Sequence, residues 1–314
     1  MNSGTYALEI RNLKKRYRKH IALKDLNLRV PRGAIMGLVG PNGAGKTTAF
    51  AIIAGLLGSN GGEINVLGQG PYDPVKNKGR LTLLPQDAMI PGHSRVRETL
   101  VHFGRLQGLD TRAARYSADK TLDWVDLSDR ANSPVSTLSH GMIRRLSAAQ
   151  AFIGDPELVL LDEPTSGLDP KQVVRVRELI MSQRGKQTIL VSSHILSEIE
   201  AACDHIAFIE EGVTTRQDAM DDVVQRSDSL TITLSQPLTV IPENISGQFP
   251  DVSFKLSDNG ILLSVHFNDN QSTAEMNRLL LPVLFNQGID IEEVQRGGNL
   301  EKIYLENGIQ NQGK

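Results

Sequence analysis

Ala34-Ile35-Met36-Gly37-Leu38-Val39, running directly into Gly40-Pro41-Asn42-Gly43-Ala44-Gly45-Lys46-Thr47, is the stretch that decides the fold. Its first part reads as a short apolar strand, entered from the turn Pro31-Arg32-Gly33. Its second part fits the pattern G-x-x-x-x-G-K-[ST]. Residues Thr47–Leu57 are expected to form a helix, stopped by Gly58 and the pair Gly61-Gly62. A glycine-rich turn between strand and helix lets successive backbone N–H groups point inward as an anion nest at the helix start. In that setting Lys46 reaches β- and γ-phosphates, Thr47 offers its hydroxyl to Mg²⁺, and Thr48 adds a bond to an α-phosphate. Alone, the loop says only that a nucleotide binds.

Two further segments narrow the chemistry. Leu158-Val159-Leu160-Leu161 is apolar throughout, as a strand buried on both faces is, and it presents Asp162 and Glu163 at its C-terminal end. Asp162 is placed to hold Mg²⁺ through water, and Glu163 is a candidate general base for an attacking water. Roughly two dozen residues before this pair stands Leu138-Ser139-His140-Gly141-Met142. Ser139 is suited to cap a helix from Met142 to about Phe152, whose positive end can face a phosphate. Gly141 allows backbone to approach a ligand closely.

Around these motifs the chain reads as α/β. Tyr6–Lys14 and Asp25–Val30 alternate apolar and polar residues, and Arg80–Leu84 is a short strand ending at Pro85-Gln86. From about Arg95 to Ser136, Val96, Leu100, Phe103 and Leu106 recur at helical spacing, as do Leu122, Val125 and Leu127, which predicts a helical insert. Strand Leu158–Leu161, helix Lys171–Gln183, strand Thr188–Ser192 and helix Ile195–Cys203 follow, an alternation that implies a largely parallel sheet. The composition changes near Thr214. Three alternating segments, centred on Ile232, Phe254 and Leu263, carry the hairpin signal Asp258-Asn259-Gly260. Ser272-Thr273-Ala274-Glu275 looks like a capping box opening a helix to about Gln287, with Ile289–Val294 and a closing helix Leu300–Glu306 completing a small α+β unit.

Bulk properties exclude several classes. A length of 314 residues suits one large and one small domain, and a net charge of −2 argues against a nucleic-acid partner. One cysteine, Cys203, rules out an internal disulfide or a multi-cysteine metal site, and it reads as a small buried residue on a helix. The first residues lack a signal-peptide layout, and no apolar run approaches the roughly 18 residues of a membrane span. A soluble protein of a reducing compartment is expected, serving a membrane only through a partner. His20, His93, His102, His205 and His266 match no metal-ligand spacing and read as surface or packing residues.

Taken in order, the phosphate loop, Gln86, Leu138–Met142, Leu161–Pro164, Ser166-Gly167-Leu168-Asp169 and His194 resemble the nucleotide-binding subunit of an ABC transporter. The resemblance covers about Leu8 to Gly212. It implies a P-loop NTPase domain with a mixed sheet over residues 1–213, a helical subdomain at about 88–137, and an accessory α+β domain over 214–314. It further implies a head-to-tail dimer enclosing two MgATP, each between one phosphate loop (Gly40, Pro41, Asn42, Gly43, Ala44, Gly45, Lys46, Thr47, Thr48) and the other subunit's Ser139 and Gly141. By the same likeness Tyr17 stacks on adenine, Gln86 links Mg²⁺ and the attacking water to the helical insert, and His194 touches the γ-phosphate. Lys46 and Glu163 join Gln86 and His194 as the expected catalytic group, while Thr47, Gln86 and Asp162 serve the metal. Ser166 and Asp169 communicate across the dimer.

The resemblance places the subunit on the cytoplasmic face of the inner or plasma membrane, docked on permease subunits through a groove whose apolar lip is Ala88-Met89-Ile90-Pro91. Asn299-Leu300-Glu301-Lys302-Ile303-Tyr304-Leu305 resembles the Leu-Glu-x-x-Phe-Leu ending of ATPases serving ABC-2-type exporters, which favours export. The signature departs from Leu-Ser-Gly-Gly-Gln at His140 and Met142, and Met142 cannot offer an amide to the opposing nucleotide. A homodimer with a tolerated variant signature is favoured over a heterodimer in which this chain supplies the weaker half. The other classes weighed are a soluble ABC protein of translation or DNA repair, which lacks here its second cassette or coiled coil, and a regulatory or assembly switch.

Overall fold

The computed structural model describes residues 5–220, 229–257, 259–267 and 272–296. The chain divides into two compact units, 1–218 and 219–314.

The first unit is built on a nine-stranded sheet in the order β4-β1-β2-β9-β8-β3-β7-β6-β5. Strands β1 (Tyr6–Tyr17), β2 (His20–Pro31) and β4 (Gly61–Val66) form its antiparallel part. Strands β3 (Ile35–Val39), β5 (Leu81–Leu84), β6 (Leu158–Asp162), β7 (Thr188–Ser193) and β8 (His205–Glu210) are parallel neighbours. Every residue of β3, β6 and β7 is buried, so these strands carry continuous rather than alternating apolar character. Strand β9 (Val213–Ala219) joins β2 in parallel through Asp25 and Val213. The compositional change at Thr214 therefore falls inside a strand of this sheet.

Register decides what the sheet presents. Val39 lies opposite Ser193, Asp162 opposite Ser192, and Leu84 opposite Leu161. The C-terminal ends of β3, β7, β6 and β5 thus stand side by side, and each feeds one expected motif, at the strand ends where open α/β sheets place ligand sites.

Helix α1 (Lys46–Ile53) is shorter than expected. It yields at Gly55, whose φ of 72° is left-handed, and the Tyr72 ring fills the space a side chain would need there. Gly61-Gly62, expected only to stop that helix, begins strand β4. The helical insert holds α2 (Val96–Leu106) and α3 (Thr111–Trp124), packed through Val96, Leu100, Ala114, Ala118 and Leu122. Leu106, expected on that face, is exposed at the end of α2. The remaining helices are α4 (His140–Ala151), α5 (Pro170–Ser182) and α6 (Leu196–Ala202).

The second unit is a four-stranded antiparallel sheet, β11-β12-β10-β13, built from β10 (Ser229–Leu234), β11 (Ser253–Leu256), β12 (Leu262–His266) and β13 (Ile291–Arg296). Helices α7 (Glu243–Gln248) and α8 (Thr273–Asn286) accompany it. Leu230, Ile232, Leu263 and Val265 pack with Met276, Leu280 and Leu284 of α8 in one core. The capping box is present, with Ser272 Oγ accepting from the Glu275 N–H and Glu275 accepting from the Ser272 N–H. Asp258 of the hairpin signal, the segment Asn299–Leu305 and the closing helix Leu300–Glu306 lie outside the described residues.

Candidate functional site

The phosphate loop ends where Gly45 caps α1, at a φ of 108° that L side chains rarely adopt. No side chain caps this helix, so no side-chain oxygen competes for its first N–H groups. A Cβ at Gly40 would overlap the Ile209 carbonyl, so the strand must enter the loop on a glycine.

Lys46 is buried, and its Nζ donates to the carbonyls of Gly40 at 2.7 Å and Pro41 at 3.3 Å. The same nitrogen stands 3.5 Å from Oε1 of Glu163, itself buried at the end of β6. Glu163 holds a left-handed φ of 50°, a conformation that costs a non-glycine residue about 1 kcal/mol or more and persists where the surroundings impose it. The surroundings here are specific. The Glu163 N–H donates to Ser192 Oγ at 2.9 Å, and Ser192 Oγ donates to Asp162 Oδ1 at 2.6 Å. His194 Nδ1 lies 2.8 Å from Glu163 Oε2. Glu163 Oε1 is buried with no hydrogen-bond partner.

Glu163 thus meets the Lys46 ammonium, and the adjacent buried Asp162, held by Ser192, adds a second carboxyl at the same strand end, an oxygen donor of the kind a divalent cation takes. No cluster of three or more His, Cys, Asp or Glu able to cage a metal occurs among the described residues. Mg²⁺ held by one or two carboxylates together with substrate phosphates needs no such cage.

A cavity of about 370 Å³ joins Tyr17, His20 and Ala22 of the hairpin to loop residues 42–48, Gln86 and Glu163. That volume is of the size small-ligand clefts have. Tyr17 is half exposed, with Lys15 Nζ 5.2 Å from its ring centroid. Asp162 lies buried behind Glu163 rather than on the cavity wall, and His194 reaches the cavity only through Glu163. Gln86 is exposed just past β5, and its carbonyl accepts from Arg144 Nη1 of α4 at 2.6 Å.

Ser139 and Gly141 are elsewhere. They begin α4, and neither lines the cavity, so within one chain the two groups of expected contacts are not brought together. Ser139 Oγ accepts from the Met142 N–H at 3.3 Å as an N-cap. Asp169 caps α5, its Oδ1 accepting from the Gln172 N–H at 3.1 Å, and the Ser166 N–H donates to the Glu163 carbonyl at 3.2 Å.

Sequence reasoning missed four residues. His20, expected to be a surface or packing residue, lines the cavity, and its place opposite Tyr17 across the β1–β2 hairpin is visible only in the structure. Ser192 had no assigned role, yet it links Asp162 to the Glu163 backbone. Arg144 and Gln172 carry no motif at all. Cys203 is buried as expected, though it lies just past α6 rather than on it, and burial pushes its thiol well above the ordinary range.

Residues 23–166 match the family described as ABC transporter. The chain is 38% identical over 214 residues to Nod factor export ATP-binding protein I of Burkholderia orbicola, covering 65% of this chain and 68% of that protein. It is 29% identical over 304 residues to the uncharacterized ABC transporter ATP-binding protein YxlF of Bacillus subtilis, covering 95% of this chain and 98% of that one. Among solved structures, an ATP-binding subunit of an ABC transporter aligns with a TM-score of 0.62 at 28% identity, covering 69% of this chain and 91% of that chain. The chain spans about two thirds of the length of the Nod factor export relatives it matches.

Proposed function

This chain belongs to the ABC transporter family of ATP-binding proteins, and on that premise we propose that it hydrolyses ATP to drive substrate export through separate membrane subunits. Two copies associate head to tail around two MgATP, each phosphate loop facing the other copy's Ser139 and Gly141. The observation that carries this reading is the contact of Lys46, Glu163 and His194 at the joined ends of β3, β6 and β7.

The residues divide the work. Backbone N–H groups from Gly40 to Thr48 cradle the phosphates, and Lys46 leaves Glu163 for the γ-phosphate. Oε1 of Glu163, buried and without a hydrogen-bond partner, then accepts the proton of the water that attacks phosphorus. His194 holds the other carboxylate oxygen and faces the γ-phosphate. Thr47, Asp162 and Gln86 are the residues that would hold Mg²⁺, which when bound neutralises charge on the β- and γ-phosphate oxygens. Tyr17 and His20 receive the base end of the nucleotide.

The ATPase role is assigned to residues 1–213, with the helical subdomain at about 88–137, and residues 214–314 form the accessory domain. Export is supported by relatives whose names concern Nod factor export. No helix among the described residues is long and apolar enough to cross a membrane, and separate permease subunits are the membrane partners of this reading. Met89, 86% exposed in the segment Ala88–Pro91, supports an apolar docking lip for them on the cytoplasmic face. Nucleic acid has no part in this reading.

The test is phosphate release by the purified chain across a concentration series, with co-purification from detergent-solubilised membranes. Activity rising with the square of concentration and a six-span membrane partner support the proposal. No hydrolysis at high concentration removes the homodimer, and a soluble partner alone removes the transporter.

A further inference from the structure

The start of α4 does not stand free. Gly141 is buried, and the atoms nearest to its side-chain position belong to Gln172 from the first turn of α5. A methyl group added at Gly141 would overlap the whole Gln172 carboxamide, both its oxygen and its nitrogen. The carboxamide is anchored from the other side, because Gln172 Nε2 donates to Asp169 Oδ2 at 2.7 Å. Its Oε1 is buried and finds no hydrogen-bond partner. A second, looser approach links the same segments through His140, which precedes Gly141, and Gly167 of the loop before α5. A Cβ at Gly167 would lie 3.8 Å from His140 Cε1, an ordinary packing distance.

These contacts join Ser139–Gly141 to the Ser166–Asp169 loop, two segments far apart in sequence that belong to the same proposed surface. A side chain that fills a gap with no room for Cβ, and is tied down at its far end, transmits displacement rather than absorbing it. We infer that Gln172 is a positioning residue, which fixes the Ser139–Gly141 turn against the Ser166–Asp169 loop so that both meet the second subunit's nucleotide as one body. The inference rests on the dimeric ATPase reading and deepens it. It also gives Gly141 a second reason to be glycine, since the residue must clear Gln172 as well as a ligand.

The experiment uses the full chain and four variants: Gln172→Ala, Gln172→Glu, Gly141→Ala and Gly141→Ala/Gln172→Ala. Phosphate release is measured against both ATP and protein concentration, and binding of a fluorescent ATP analogue to dilute protein reports the phosphate loop alone. Misplacing a positioned group by about 1 Å can cost about 100-fold in rate, so kcat should fall about 10- to 100-fold in Gln172→Ala. Analogue binding at low concentration should be unchanged. Gln172→Glu, which sets a carboxylate against Asp169, should fall at least as far. The double variant should recover severalfold over Gly141→Ala, because the obstructing carboxamide is gone.

Hydrogen exchange on the nucleotide-free chain gives a readout independent of hydrolysis. In Gln172→Ala, amides 140–143 and 166–169 should exchange faster together, while those of β3 and β6 keep wild-type rates. Wild-type kcat in Gln172→Ala, a double variant no better than Gly141→Ala, or unchanged exchange at 140–143 would each overturn the inference. If the wild-type chain hydrolyses no ATP while the paired exchange change appears, the ATPase reading fails and the positioning contact stands.

Discussion

His194 Nδ1 lies 2.8 Å from Oε2 of Glu163, a contact between the residues that directly follow β7 and β6, which fixes the carboxylate at the mouth of the phosphate loop. The other oxygen is left for Lys46 at 3.5 Å, so one side chain is restrained from both sides.

Glu163→Gln keeps the shape of this arrangement and removes its basicity. Turnover should fall at least about 100-fold, the usual loss with a general base, while ATP remains bound. Phosphate release together with gel filtration in ATP checks this, and the variant should elute as a trapped dimer. A normal rate would remove Glu163 from the chemistry.

His194→Ala should lower kcat about 10- to 100-fold with little change in KM, since orientation of the base matters only as the reaction proceeds. Steady-state kinetics separate the two constants. A raised KM with kcat intact would instead make His194 a simple binding contact.

Lys46→Ala leaves the Glu163 carboxylate buried without its cation. Nucleotide binding should be lost, and the chain should lose about 1–3 kcal/mol of stability for the uncompensated group. Combining it with Glu163→Gln should return part of that loss, because the buried charge is gone. Urea midpoints of the single and double variants measure the difference, and equal midpoints would show that the pair contributes nothing.

Replacing His140 with Gly and Met142 with Gln restores the amide absent from the signature segment. One added hydrogen bond to the opposing nucleotide, about 0.5–1.5 kcal/mol, should raise turnover about two- to tenfold. Phosphate release at equal dimer concentration is the check, and a slower variant would mean that His140 itself contributes to the contact.

Glu157 bridges Arg80 at 2.5 Å and Arg32 at 3.3 Å, and the Arg80 hydrogen bond holds its carboxyl below the ordinary range. A lowered folded value means the stabilisation is complete above the ordinary carboxylate pKa and disappears as pH falls through the folded one. Glu157→Gln should therefore melt about 1–3 °C below wild type at neutral pH, a modest effect fitting a partly exposed pair. The gap should close as pH falls from about 5 to about 3. Thermal melts over that range test it, and a gap that widens on acidification would contradict the assignment.

The phosphate loop, the apolar strands around it and the Ser272 capping box were legible because each is a local demand written in adjacent residues. A positive φ needs glycine, a doubly covered strand needs continuous apolar residues, and a cap needs a hydroxyl three residues before a carboxylate. Strand β4 was hidden for a related reason: the glycines that open it are also what ends a helix, and only pairing with β1 resolves the two. His20, Ser192, Arg144 and Gln172 left no trace at all, since none of them satisfies a local requirement.

What the sequence determined by itself was the set of motifs and the order in which they occur. What the tertiary structure decided was which of them touch. The order β3-β7-β6 and its register, set by burial of whole strands, bring positions 46, 163 and 194 together across more than a hundred residues of chain. The same packing carries Gln172 onto Gly141 and leaves Ser139 away from the cavity of its own chain. Contacts of this kind depend on close packing between distant segments, which no local pattern encodes.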